Sequence, residues 1–149
     1  MNQDQRDVQA FHEALDIPVG TIPTLRRVDL RCALIAEEAR ETIEAAERGD
    51  LVEAVDGLCD LLYVVYGAAV EWGIDLEPFF AEVHRSNMAK VGGPVREDGK
   101  RLKPEGWKPP DIAGVLRAQL QSVPVHTNAE VGGGFSAHIG RADSSALGG

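Results

Sequence analysis

The sequence predicts an all-α protein built on a long helical hairpin. Three observations carry that expectation. Residues 25–48 and 51–72 are rich in Ala, Leu and Glu, good helix formers. Between them Gly49 suits a left-handed C-terminal cap and Asp50 an N-cap, so one helix ends where the next begins. In the second stretch Val52, Val55, Cys59, Leu62 and Tyr66 recur at helical spacing. So short a connection forces the two helices antiparallel. Each also carries apolar residues on two faces, which one hairpin cannot bury alone. A four-helix-bundle core completed by oligomerisation, as a homodimer or homotetramer, is therefore expected.

The remaining elements follow in order. Val8, Phe11 and Leu15 mark a short helix over 3–15, and residues 17–23, with two prolines and a glycine, read as a loop. Helices are expected at 25–48 and at 51–72, the latter stopped by Gly73. Asp75 can cap a helix over 76–90, with Pro78 tolerated in its first turn. Gly92-Gly93-Pro94 ends it, and Asp98-Gly99 within 95–103 is a hairpin-turn signal. Trp107 and Pro109-Pro110 precede Asp111, which can cap a short helix carrying Ile112, Val115, Leu116 and Leu120. One all-α domain over 1–122 is expected. The Gly-, Ser- and Ala-rich stretch 123–149 is expected to be a flexible tail.

The chain has 149 residues, 44% hydrophobic and 26% charged, enough for one folded domain with a core. A net charge of −9 without a long Lys/Arg run argues against nucleic-acid polymers and anionic membranes as partners. Free nucleotides remain open, because a metal can screen their phosphates. No apolar stretch reaches spanning length and Met1-Asn2-Gln3-Asp4 is polar, so a cytoplasmic protein is expected. Cys32 and Cys59 lack zinc or redox spacing and lie in apolar helical contexts, so buried, reduced thiols are expected.

The acids hold the chemical information. At 100° per residue Leu30, Leu34, Glu37 and Glu41 share one helix face, with Glu38 at its shoulder, so a leucine stripe turns acidic midway. Ile35, Ala39, Thr42 and Ala46 keep a second apolar face. On the next helix Glu53, Asp56 and Asp60 lie in one sector. If the chain reverses at Gly49, residues lie level when their numbers sum to about 98. Asp60 then falls beside Glu38 and Glu37, and Asp56 near Glu41, while Glu53 lies closer to the turn. Two carboxylates about 4 Å apart repel by roughly 4 kcal/mol at an effective dielectric near 20. The five acids Glu37, Glu38, Glu41, Asp56 and Asp60 are therefore candidate ligands for a hard cation, Mg²⁺ or Mn²⁺. The bland alternative is two solvated acidic faces. A di-iron bundle is disfavoured by the missing Glu-x-x-His.

Further along, His84-Arg85-Ser86-Asn87-Met88-Ala89-Lys90 places Asn87 on the face of Phe80 and Val91, with Lys90 at its edge. Asn87, Lys90 and Arg85 are candidate substrate-binding residues, the cations for phosphate oxygens. The competing reading makes Asn87 structural and leaves the cations solvated. His84, Tyr63, Tyr66 and Trp72 suit packing better than acid–base chemistry or base stacking.

Glu37-Glu38-x-x-Glu41, followed by an acidic helix ending in Asp60-Leu61-Leu62, resembles the all-α nucleoside triphosphate pyrophosphohydrolases, including MazG-like proteins and phosphoribosyl-ATP pyrophosphohydrolases. The run from Asp60 to Gly67, with that from Glu82 to Lys90, is closer to the phosphoribosyl-ATP-pyrophosphohydrolase-like, or Cof-like, subgroup. The resemblance covers about residues 5–115. One departure is present: the family's usual second motif, Glu-x-x-Asp, would put Glu at position 57, which is Gly57. Glu53-x-x-Asp56 fits the letters but lies too near the turn, so Asp56 and Asp60 are the expected pair. No Asp-x-Asp occurs, so phosphatase chemistry of the haloacid-dehalogenase type is not expected.

The resemblance implies dimers or tetramers, Mg²⁺, and conversion of a nucleoside triphosphate to monophosphate and pyrophosphate in house-cleaning of nucleotide pools. Metal ions would neutralise the polyphosphate while a water, activated by metal or glutamate, attacks phosphorus. Glu38 is the candidate catalytic residue orienting that water. A phosphoribosyl-ATP pyrophosphohydrolase of histidine synthesis and a non-catalytic helical interaction module are the alternatives.

Overall fold

The computed structural model describes residues 1–122, and the flexible tail expected at 123–149 lies outside the described residues. Five helices follow in order: α1 (Gln3–Ala14), α2 (Val28–Glu47), α3 (Leu51–Glu71), α4 (Leu76–Met88) and α5 (Ile112–Ser122). Among the described residues there is no strand, only an isolated antiparallel bridge between Val95 and Arg101. The fold is all-α, as expected. α2 and α3 pack closely as an antiparallel hairpin, α1 lies against α3, and α4 packs on α5.

Helix ends follow capping chemistry. Asn2 accepts from the Gln5 amide at 3.0 Å, Asp50 from Glu53 at 3.2 Å, and Asp75 from Glu77 at 3.0 Å. Gly49 takes φ +75°, the left-handed cap that turns α2 into α3. One boundary differs from expectation: α2 starts at Val28 rather than near residue 25. Arg27 is left-handed, with φ 45°, so a helix cannot run back through it. The preceding loop is pinned to the end of α3. Trp72 Nε1 donates to the Arg26 carbonyl at 2.7 Å, and the Thr24 amide donates to the Trp72 carbonyl at 2.9 Å.

The fully covered apolar core of one chain is small: Val8, Ala45, Ala68, Ala69 and Val70. Much of it gathers where α1 crosses the C-terminal half of α3. There Phe11 meets Tyr63 edge-on with ring centres 5.6 Å apart, and Asn2 donates to the Tyr66 hydroxyl at 2.9 Å. The buried Gln5 side chain donates to the Ile74 carbonyl at 2.6 Å and accepts from the Leu76 amide at 3.1 Å. It thereby ties α1 to the start of α4.

Within one chain the α3 stripe is open: Val52 is 79% exposed, and Val55 and Leu62 are also exposed. Among the described residues no helix covers the N-terminal half of α3 on that side, because α1 lies against its far half. One expectation is corrected: Cys32 on α2 and Cys59 on the open stripe of α3 are free thiols, exposed rather than buried. Among the described residues no helix is long and apolar enough to cross a membrane.

Candidate functional site

The site begins with a close approach. A Cβ built on Gly57 would stand 2.7 Å from Thr42 Oγ1 and 3.1 Å from Thr42 Cα. Only a residue without a side chain lets the hairpin close this tightly here. Thr42 Oγ1 in turn donates to the Glu38 carbonyl at 2.7 Å. The contact sets the register of α2 against α3, and it agrees with the level rule drawn from the turn.

Beside this contact the hairpin opens into a cleft of about 270 Å³, with Glu38, Glu41, Glu44, Glu53, Asp56 and Asp60 among its lining residues. Arg40 and Arg48 also border it. Arg40 leans on Glu41 at 3.7 Å and Glu44 at 3.3 Å, exposed pairs that contribute little. Glu38 is half-buried. Desolvation pushes its carboxyl above the ordinary glutamate range, and the charges of Asp60, Glu41, Glu37 and Asp56 push it further. Of those charges Asp60, on the opposite helix, acts most strongly.

The structure thus brings Glu38, Glu41, Asp56 and Asp60 to one cleft, while Glu37 acts on Glu38 from outside the lining. Glu53, expected to lie nearer the turn, lines the cleft but is not among the charges acting on Glu38. All the acidic donors are carboxylate oxygens, the set that suits a hard divalent cation. Among the described residues no three acid, His or Cys side chains are gathered closely enough to grip an ion as they stand. The donor chemistry fits Mg²⁺, and exposed side chains such as Glu41 and Asp60 have room to turn inward.

The α4 candidates lie elsewhere in the chain. Glu82 holds both sides of the Arg85 guanidinium at 2.7 Å and accepts from the Asp111 amide at 2.8 Å. Arg85 first, then that amide, holds the Glu82 carboxyl down to about 2. Arg85 is therefore engaged in fastening α4 to the start of α5. Asn87 is exposed and accepts from Lys90 Nζ at 2.7 Å. The face it shares with Phe80 and Val91 is open rather than packed. None of Arg85, Asn87 and Lys90 lines the acidic cleft of the same chain.

Sequence reasoning missed a buried polar knot at the other end of the hairpin. The Arg31 guanidinium pairs with Glu71, whose side chain is 0% exposed, and Arg27 Nε approaches the same carboxylate at 3.5 Å. His12 is buried beside them against Gly67, where a Cβ would meet Arg31 Nη1 at 3.1 Å and His12 Nε2 at 3.3 Å. Burial lowers the His12 imidazole below its usual range, and Arg31 adds to the effect. The available signal was a lone Glu in the run Ala68-Ala69-Val70-Glu71-Trp72, facing a lone Arg in Leu30-Arg31-Cys32.

The chain is 44% identical over 50 residues to uncharacterized protein L479 of Acanthamoeba polyphaga mimivirus, a match covering 34% of this chain and 20% of that protein. The chain thus matches about a fifth of that relative's length. The family model of phosphoribosyl-ATP pyrophosphohydrolase matches residues 8–87, more than half of the chain and the whole acidic hairpin, and the chain belongs to that family.

Proposed function

We propose that the protein is a Mg²⁺-dependent nucleoside triphosphate pyrophosphohydrolase, cutting a (d)NTP to (d)NMP and pyrophosphate in nucleotide-pool house-cleaning. The observation that carries this reading is Glu38, half-buried and crowded across the hairpin by Asp60 and Asp56. Carboxylates so placed favour a divalent cation, and the family acts on a phosphoric anhydride. Glu38, Glu41, Asp56 and Asp60 would hold Mg²⁺, with Mn²⁺ as a substitute and Glu37 adding charge from behind. Bound there, such an ion would neutralise the charge of the polyphosphate. Glu38 orients the attacking water and accepts its proton. Asn87 and Lys90 are proposed to meet the substrate, and Arg85 to do so only by giving up its hold on Glu82.

A homodimer or homotetramer is part of the proposal. The open α3 stripe leaves a contiguous apolar face that a second hairpin would cover. The family's own description favours a second reading, hydrolysis of phosphoribosyl-ATP. Incubation with Mg²⁺ and a panel of nucleoside triphosphates plus phosphoribosyl-ATP, with products resolved by chromatography, separates the two. Nucleoside monophosphate with pyrophosphate supports the main reading, and turnover of phosphoribosyl-ATP alone supports the second. Diphosphate with inorganic phosphate overturns both, and no turnover leaves a helical interaction module.

A further inference from the structure

All four lysines of the chain fall between residues 90 and 108, in the connection from α4 to α5, although the chain's net charge is −9. Arg96 in this segment is neutralised by Asp98 at 2.5 Å. Among the described residues none of the four lysines makes an ion pair. Instead two of them converge on one aromatic ring. Lys103 Nζ lies 4.2 Å and Lys90 Nζ 5.5 Å from the centre of the Trp107 ring. The ring itself is fastened: Trp107 Nε1 donates to the Ser86 carbonyl at 2.9 Å, and the buried Ser86 hydroxyl donates to the Lys108 carbonyl at 3.2 Å. Lys90 is further held by its bond to Asn87.

A ring quadrupole attracts an ammonium group without cancelling its charge. Two such groups drawn to one ring repel each other, and an anion reaching both relieves that repulsion. We propose that Lys90 and Lys103, held by Trp107, bind a short phosphoanhydride chain, such as the tail of a free nucleotide or released pyrophosphate. Trp107 is the positioning residue. That the anion belongs to a nucleotide rests on the proposed function; that the lysines bind it does not. Lys90, Lys103 and Trp107 all lie beyond residue 87, where the family match ends. A compact polyphosphate suits it better than a nucleic-acid strand, which would have to run on over an acidic protein.

The test uses the full chain with a chelator and no divalent ion, so the acidic cleft gives no help. Inorganic triphosphate, pyrophosphate and monophosphate are titrated by calorimetry. Triphosphate is expected to bind more tightly than monophosphate. Lys103→Gln should weaken it about ten-fold, the loss of one charge-assisted contact, while Lys103→Arg should restore most of that. Lys100→Gln, away from the ring, should change affinity less than about two-fold. Binding that Lys100→Gln weakens as much as Lys103→Gln would mean diffuse charge and overturn the site. So would no triphosphate binding by the unaltered chain, or tighter binding of a single-stranded oligonucleotide. Triphosphate binding without turnover of any nucleotide would sink the proposed function alone. Turnover without it would sink this inference alone.

Discussion

Gly57 of α3 packs directly on Thr42 of α2, and the Thr42 hydroxyl is already committed to the Glu38 carbonyl. Thr42 cannot swing aside without giving up that bond. The same contact explains why a glutamate is absent at position 57: no side chain fits there. The acids of α3 stand on either side of it, at Asp56 and Asp60.

Gly57→Val should therefore destabilise the chain by about 1–3 kcal/mol, the usual cost of overpacking, despite the better helix propensity of valine. Denaturant titration checks this. Prying the helices apart should also raise the Mg²⁺ concentration needed for half-maximal turnover. A Gly57→Val protein as stable as the parent would show that the hairpin has slack.

The buried Arg31–Glu71 pair makes a different prediction. Arg31→Met leaves the Glu71 carboxylate buried with only the more distant Arg27 for company, which should cost about 3–5 kcal/mol. Adding Glu71→Leu removes the stranded charge and should recover a large part of that loss. Thermal melts of the two variants decide it, and equal losses would mean the pair matters through packing alone.

The hairpin and its register were legible because local chemistry fixes them. Gly49 and Asp50 set the turn, and the level rule follows from helix rise, which is how Glu38 and Asp60 could be paired in advance. The exposure of Cys59 was not legible, because periodicity identifies an apolar face without saying which element covers it. The Arg31–Glu71 knot was hidden for a related reason: a buried charge reveals itself only with its partner, forty positions along the chain. Arg85 was read as a free cation because its carboxylate partner, Glu82, lies one turn back, where ion pairs are usually weak. The Asp111 amide that turns the pair into a fastening for α5 comes from far along the sequence.

That fastening has a pH signature. The folded Glu82 carboxyl, at about 2, lies below its ordinary value of 4.5, so ionisation favours the folded state. Its contribution is present above pH 4.5 and is lost as pH falls toward 2. Glu82→Gln should melt below the parent at pH 7, and the gap should narrow at pH 3. A gap that stays constant with pH would assign Glu82 a packing role.

The metal site gives the sharpest separation. Asp60→Asn keeps the shape and removes the neighbouring charge that acts most strongly on Glu38. It should weaken Mg²⁺ binding and cut turnover by at least about 100-fold, if Asp60 ligates an ion that stabilises transition-state charge. Chelator should abolish turnover of the parent and lower its Tm to the metal-free value. Without metal the variant should be no less stable than the parent. The folded Glu38 carboxyl is raised, so its favourable contribution is present in acid and is lost as pH rises through the folded value. Removing the Asp60 charge reduces that loss, so the variant should gain on the parent at neutral pH and not in acid. Glu53→Gln is the control: Glu53 lines the cleft but is not among the charges acting on Glu38. Calorimetric Mg²⁺ titration and turnover assays on both variants read the result. If Glu53→Gln abolishes activity and Asp60→Asn does not, the ion belongs to Glu53-x-x-Asp56 nearer the turn, and the pairing of Glu38 with Asp60 is only repulsion.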